Sequence, residues 1–333
     1  MHTHFSRNTL LLSLLALMLL ASCSSRETRH QEGNISILRF DQLLFETPAA
    51  QLADSLQAFQ NRFRSPLLTI YADDPQFMQQ MQGFLGDSIV RDIYRITKQR
   101  YPQLYWLEAT VTEALKQAAK ANPDIQIDHV ASYVSCQFDY TRRVVVDREN
   151  HSALISIDQY AVGDMERYNY FGLPLFIVER CDSALMAVDL MSEVARAYIA
   201  SPDESSLTML DLMVAEGKVL YFLDQVLQVP DHQKIRYTPD QLEWAKRNES
   251  RIWSYFIQNN LLYEKDHSRY HNFVDEAPKT NAFKDSAPRT TDYIGWQIVK
   301  SYMKNNRCTM QALFENSDAQ AILQASGYRP QDS

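Results

Sequence analysis

The chain has 333 residues, 45% of them hydrophobic and 11% aromatic, which is enough for a buried core and excludes a disordered chain. Its 33 basic and 41 acidic residues give a formal net charge of −8, and without a basic patch interleaved with aromatics nucleic acid is excluded as a partner. Glycine is scarce, at 8 residues, and neither G-x-G-x-x-G nor a P-loop occurs, which excludes a glycine-rich nucleotide site.

Residues 1–22 read as a lipoprotein signal peptide that is removed. Arg7 supplies a short positive region, and residues 10–20 are apolar but for one serine. The run is shorter than the ~20 apolar residues of a spanning helix. The segment Leu20-Ala21-Ser22-Cys23 resembles a bacterial lipobox, which assigns lipidation to Cys23 as residue one of the mature chain. Arg7 is the one charged residue lost with the signal, so the mature chain carries about −9, one below the full-length −8. An acidic body gains nothing from an anionic lipid surface, so the acyl chains do the anchoring, at about 0.8 kcal/mol per buried methylene. Residues 23–36 are polar and without periodicity and read as a flexible, lipid-anchored tether. Residues 37–330 show no long linker or repeat and read as one domain.

Within that domain, residues 35–40 alternate as a first strand. Residues 107–121 have helical period, with Ala109, Val111, Ala114, Leu115 and Ala118 on one face. Strands are expected over residues 134–138, 143–146 and 153–158, with Asp158 as a turn former. The remainder reads as mainly helical. Thr238-Pro239-Asp240-Gln241 is a capping box with proline at the first helical position, opening a helix that runs to Phe256. Residues 293–303 form a later helix. The fold class is α+β: a small N-terminal and central sheet followed by a mainly helical half. Cys136, Cys181 and Cys308 are odd in number and widely spaced, without C-x-x-C. They read as small buried hydrophobes, with one disulfide plus one free thiol as the alternative.

Three segments bear on chemistry. In "MSEVARAYIA", Ser192-Glu193-Val194-Ala195-Arg196 occupies the frame of a zinc-binding His-Glu-x-x-His helix, with the glutamate kept and both histidines absent. Serine is a poor zinc ligand, and Arg196 is a permanent cation that repels Zn²⁺. By itself the segment reads as a solvated helix with an apolar stripe (Val188, Met191, Ala195, Tyr198, Ile199) and a Glu193–Arg196 pair. In residues 212–223, Glu216 sits in an almost unbroken apolar run. An unpaired buried carboxylate costs several kcal/mol, so Glu216 must reach water or a cation. The joint expectation places Arg196 where a metal would sit, paired with Glu216 and Glu193. In "HSRYH", His267 and His271 are spaced for a metal only if the segment is helical. Its polar, acidic flanks suit an exposed loop instead. No G-x-S-x-G and no Cys-His pair is present. No catalytic residue, metal or cofactor is therefore assigned, beyond the covalent lipid on Cys23.

The segments "ILRFDQLLF", "ISIDQYAVGD", "LMSEVARAYI", "MLDLMVAEGKVLYFL", "YTPDQLEWAKRNESRIWSYFIQNNLLY" and "DYIGWQIVKSYM" follow in one order. Together they resemble the gliding motility lipoprotein GldB family of the Bacteroidetes over nearly the whole mature chain. Such proteins in turn look distantly like zincin peptidases, whose His-Glu-x-x-His helix is followed by an "AEG" helix and a "GxxIV" helix. The chain matches at Glu193, Ala215-Glu216-Gly217 and Gly295 to Val299, and departs at Ser192 and Arg196. The resemblance implies a zincin-like fold without peptidase activity, in which Ser192, Glu193, Arg196 and Glu216 mark relic metal-site positions. It implies a role in gliding with the type IX secretion machinery, on the periplasm-facing side of the inner or outer membrane, with other envelope, gliding or secretion proteins as partners. Residues 153–158 would then be the cleft edge, able to add a peptide strand. The alternative is a hydrolase using Glu193 and Glu216 as acid and base, or a metal at His267 and His271.

Overall fold

The computed structural model describes residues 34–201 and 207–330. The expected signal peptide, Cys23 and the expected tether through residue 33 lie outside the described residues. In chain order the elements are β1 (Ile37–Arg39), α1 (Phe40–Glu46), α2 (Leu52–Phe63), α3 (Pro75–Gly86), α4 (Ser88–Arg100), α5 (Tyr105–Ala121), β2 (His129–Tyr133), β3 (Val144–Asp147), β4 (Ser152–Ser156), α6 (Leu175–Val178), α7 (Met186–Tyr198), α8 (Met209–Val226), α9 (Asp231–Lys234), α10 (Pro239–Arg247), α11 (Glu249–Gln258), α12 (His267–Val274), α13 (Thr290–Asn305), α14 (Met310–Glu315) and α15 (Ala319–Ser326). The fold is α+β, with a small mixed sheet in the N-terminal half and a mainly helical C-terminal half.

The sheet order is β1-β2-β4-β3. β1, β2 and β4 are parallel, with Val130 opposite Ala153, while β3 runs antiparallel along β4 with Val145 opposite Leu154. All five residues of β4 are buried, as expected of a strand covered on both faces. Side chains alternate between two cores. Ile37, Val130, Ala153 and Ile155 face the main helical core, and Leu38, Ala131 and Leu154 face a smaller one built on Phe40, Leu56, Phe59 and Phe63 of α1 and α2.

Several boundaries differ from the sequence expectation. The first strand ends at Arg39, because Phe40 begins α1 and its ring packs 4.6 Å from Phe59. Four helices, α1 to α4, precede the one expected near residue 107. On α5, Ala109 is exposed, and Leu107, Val111, Ala114 and Ala118 make the inner face. The strand expected over residues 134–138 lies upstream, as β2. Its place is taken by a loop whose Ser135 and Cys136 N–H groups donate to the Asp158 carboxylate at 3.1 and 2.9 Å. Cys136 and Phe138 there adopt φ of 55° and 48°, which a strand cannot. The strand expected over residues 153–158 ends at Ser156, and Asp158 lies in a 3-10 turn, fully buried as the staple of that loop rather than a surface turn former. β4 is interior, so β3, not residues 153–158, is the edge on that side of the sheet, with β1 at the other. The capping box at Thr238 is formed as expected, but the helix breaks at Asn248, whose side chain donates to Trp244 O at 2.8 Å and competes with the helical backbone.

Two glycines set the crossing of α8 and α13. A Cβ on Gly217 would lie 2.2 Å from Gly295 O, and one on Gly295 would lie 1.8 Å from Met213 O. The helices therefore touch backbone to backbone, and Glu216 on α8 is held against the N-terminal end of α13.

Candidate functional site

A cleft of about 600 Å³ opens between α7, α8, the start of β3 and the segments that carry α12 and α13. Five arginines line it (Arg143, Arg180, Arg196, Arg236, Arg289), with six carboxylates (Asp189, Glu193, Glu216, Asp275, Glu276, Asp292).

The polar side of α7 is not the solvated face expected from its pattern. Ser192 is fully buried and Asp189 is 6% exposed. Ser192 Oγ donates to Val188 O at 2.7 Å, one turn back on the same helix. Arg196 Nη1 donates to Glu193 Oε1 at 2.7 Å, and Nη2 reaches both Glu216 oxygens at 2.8 and 2.7 Å. The expected three-residue ion cluster is thus formed, facing the cleft. Burial pushes the Glu216 carboxyl up, but the charge and hydrogen bonds of Arg196 outweigh it and hold the group below the ordinary carboxylate range.

One turn earlier on α7, Asp189 accepts from the Tyr160 hydroxyl at 2.8 Å and from Arg236 Nε at 2.7 Å, with Arg143 Nη1 at 3.7 Å. Burial works against its charge, and the Arg236 and Arg143 guanidiniums more than reverse that effect. Arg236 Nη2 also stands 3.4 Å from Ser192 Oγ. A third cluster lies at the head of α13. Arg289, held at φ 43°, donates to Asp292 and to Ile235 O, both at 2.8 Å, while Arg180 pairs with Glu276 at 2.5 Å. Burial pushes the Asp292 carboxyl up to about 7, with Glu216 and Glu276 adding to the shift and Arg289 opposing it.

Of the residues singled out in the sequence, Glu193, Arg196 and Glu216 come together, with Ser192 behind them. His267 and His271 do not join them as ligands. They lie on a helix, α12, not in a loop, and each is already bonded: His267 Nε2 with Asp275 Oδ1 and His271 Nδ1 with Ser268 O, both at 2.9 Å. Cys136, Cys181 and Cys308 are free thiols; Cys181 is buried and the other two are half-buried. Arg143, Arg236, Arg289, Asp189 and Asp292 were not anticipated. Asp292 follows Arg289-Thr290-Thr291 and so lacked the apolar run that singled out Glu216.

The metal that a zincin-like fold would imply does not fit these residues. Ser192 gives its hydrogen to a backbone carbonyl, and the Arg196 guanidinium fills the space between the Glu193 and Glu216 carboxylates. A second guanidinium, Arg236, stands over Ser192. Among the described residues, no group of three or more His, Cys, Asp or Glu side chains is placed to hold a metal ion.

Residues 22–330 match the family model described as Gliding motility protein GldB. The chain belongs to that family. It is a family of lipoproteins acting in gliding motility, and the match spans Cys23 and every element described above. No curated protein and no solved structure matches the chain. No helix among the described residues is long and apolar enough to cross a membrane.

Proposed function

We propose that the chain is a non-catalytic envelope lipoprotein that binds a protein partner of the gliding and type IX secretion machinery through the cleft beside α7. In this reading its frame is zincin-like and has lost the metal site. Cys23 carries the lipid and the residues after it tether it; the periplasm-facing body begins at Ile35 and not at residue 37 as expected, because the Ile35 N–H donates to Thr112 Oγ1 at 2.9 Å and its side chain packs on the core. The observation that carries the reading is Arg196, bonded through Nη1 to Glu193 and through Nη2 to both oxygens of Glu216, where a zincin would hold zinc. The glutamate that would act as base and the glutamate that would act as ligand are both engaged by a cation that cannot be deprotonated. The antiparallel edge strand β3 beside the cleft supports a peptide-holding role, since its outer main-chain groups can pair with an extended segment.

The opposing reading, a hydrolase, draws on one observation. Glu216 is held ionised while Asp292 is pushed up to about 7, and one ionised and one protonated carboxyl is what acid–base hydrolysis uses. Against it, both Glu216 oxygens are taken by Arg196, and a carboxylate with a depressed pKa is a weak base.

Site-specific photo-crosslinking in the native envelope tests the binding reading. A crosslinker at Tyr140, on the cleft wall, should capture a discrete envelope protein. One at Tyr105, which is 61% exposed on α5 and outside the cleft lining, should not capture that protein. No adduct at Tyr140, or the same adducts at both positions, would contradict it.

A further inference from the structure

Charge is sorted along the cleft face of α7. At Asp189, two guanidiniums share one carboxylate: Arg236 at 2.7 Å and Arg143 at 3.7 Å. At the next turn, one guanidinium is shared by two carboxylates: Arg196 meets Glu193 and Glu216, each at 2.7 Å. The first group has one positive charge in excess and the second one negative. Asp189 and Glu193 are four residues apart, so the two poles lie about 6 Å apart along the helix.

Arg143 is the least satisfied member. It is 8% exposed, yet among the described residues its guanidinium donates one hydrogen bond, to Cys181 Sγ at 3.2 Å, and its Nε–H meets no acceptor. A thiol is a weak acceptor, and burial pushes that of Cys181 up, so it supplies no counter-charge. A buried guanidinium ordinarily forks onto a carboxylate or phosphate, and leaving it short of one is costly. Phosphate fits the cluster of guanidiniums but meets the negative pole one turn away. A ligand with both signs, spaced about one helical turn apart, satisfies both poles.

We propose that Arg143 and Arg236 receive the C-terminal carboxylate of a peptide whose last residue is basic, with its basic side chain at Glu193 and Glu216. A lysine ammonium reaches about 6 Å from its own Cα on its four-carbon stem, which matches the spacing of the poles. The inference rests on the peptide-holding reading of the cleft and adds the polarity and chemistry of the bound end.

The test is fluorescence polarisation on the full-length lipidated protein in detergent, with fluorescein-Ala-Ala-Lys as free acid and as amide. The free acid should bind about tenfold more tightly, the scale of a lost charge-assisted hydrogen-bond pair. Arg236→Gln should bring acid and amide together, and Arg143→Gln should do the same if its circular dichroism shows it folded. Replacing the terminal lysine by leucine should weaken the acid. Equal affinity of acid and amide, no binding of either at millimolar concentration, or a preference that survives Arg236→Gln would overturn the proposal. So would equal competition by inorganic phosphate or by an amidated peptide with an internal glutamate. Acid and amide that bind equally, and are both displaced by Ala215→Trp in the cleft wall, would overturn the end-recognition alone and leave the peptide-holding reading standing.

Discussion

Replacing Arg196 with methionine removes the cation from the Glu193–Glu216 cluster and leaves two carboxylates facing each other across the cleft. At about 4 Å and an effective dielectric of about 20, each carboxylate–guanidinium attraction is roughly 4 kcal/mol gross. Most of that is offset by desolvation, and removing one partner of a buried pair typically costs about 3–5 kcal/mol. Here the Arg196 and Glu216 side chains are 36% and 19% exposed, so solvent screening brings the expected loss to about 2 kcal/mol at pH 7. The pH dependence carries the sharper signature. In the wild type Glu216 is held below the ordinary carboxylate range, so its contribution is present above the unfolded-state pKa and lost as pH falls through the folded one. In Arg196→Met the strongest opposing charge is gone and only the weaker pull of Arg236 and Arg289 still favours the ionised form, so burial moves the folded-state carboxyl up and part of the lost stability returns as pH falls. The gap between the two proteins should therefore narrow from about 2 kcal/mol at pH 7 to under about 1 near pH 4. Urea unfolding followed by tryptophan fluorescence at pH 7, 5.5 and 4 measures it, and adding Glu216→Gln to Arg196→Met should recover about half the loss. A gap that does not change with pH, or one below about 0.5 kcal/mol at pH 7, would refute the account of the cluster.

Three further outcomes are expected. Gly295→Ala, whose Cβ would lie 1.8 Å from Met213 O, should destabilise the fold by more than about 3 kcal/mol, while Gly83→Ala, with nothing within 4 Å, should be neutral or stabilising in the same unfolding assay. Lys218 is 3% exposed with its ammonium on Asn316 O, and burial lowers it to about 8. The folded chain releases that proton before the unfolded one, so wild-type stability should rise between about pH 8 and 10 relative to Lys218→Met, by up to roughly 2 kcal/mol. Metal analysis of protein equilibrated with zinc and desalted should give well under one equivalent; a stoichiometric ion that disappears on His267→Ala would favour the hydrolase reading.

What could be read from the sequence was local or forced by charge. The Thr238 capping box is legible because its residues lie three apart and satisfy each other. The Arg196–Glu216 pair is legible because a carboxylate in an apolar helix needs a cation, and Arg196 is the one that the zinc-like frame offered. Asp189 was missed because helical periodicity says which residues share a face, not whether that face meets water or other charges. Its partner Arg236 lies 47 residues away in a short turn, where no local pattern points back to α7. The edge strand was misassigned for a related reason: β3 and β4 are both apolar, and only the sheet order decides which is interior. The glycines at 217 and 295 stood in the quoted segments, but their purpose, a backbone-to-backbone crossing, needed the packed helices.

The central claim is that the cleft works by binding and not by catalysis, and two substitutions separate these directly. Glu193→Gln keeps the shape of α7 and removes the one carboxylate that a zincin mechanism would use as base, whereas Ala215→Trp leaves every charged group and fills the cleft from α8. In cells where each variant replaces the native gene and accumulates to the native level, gliding or type IX secretion should persist with Glu193→Gln, reduced only by the loss of one of the two carboxylates that receive the basic side chain, and fail with Ala215→Trp. Failure with Glu193→Gln and normal function with Ala215→Trp would contradict the account.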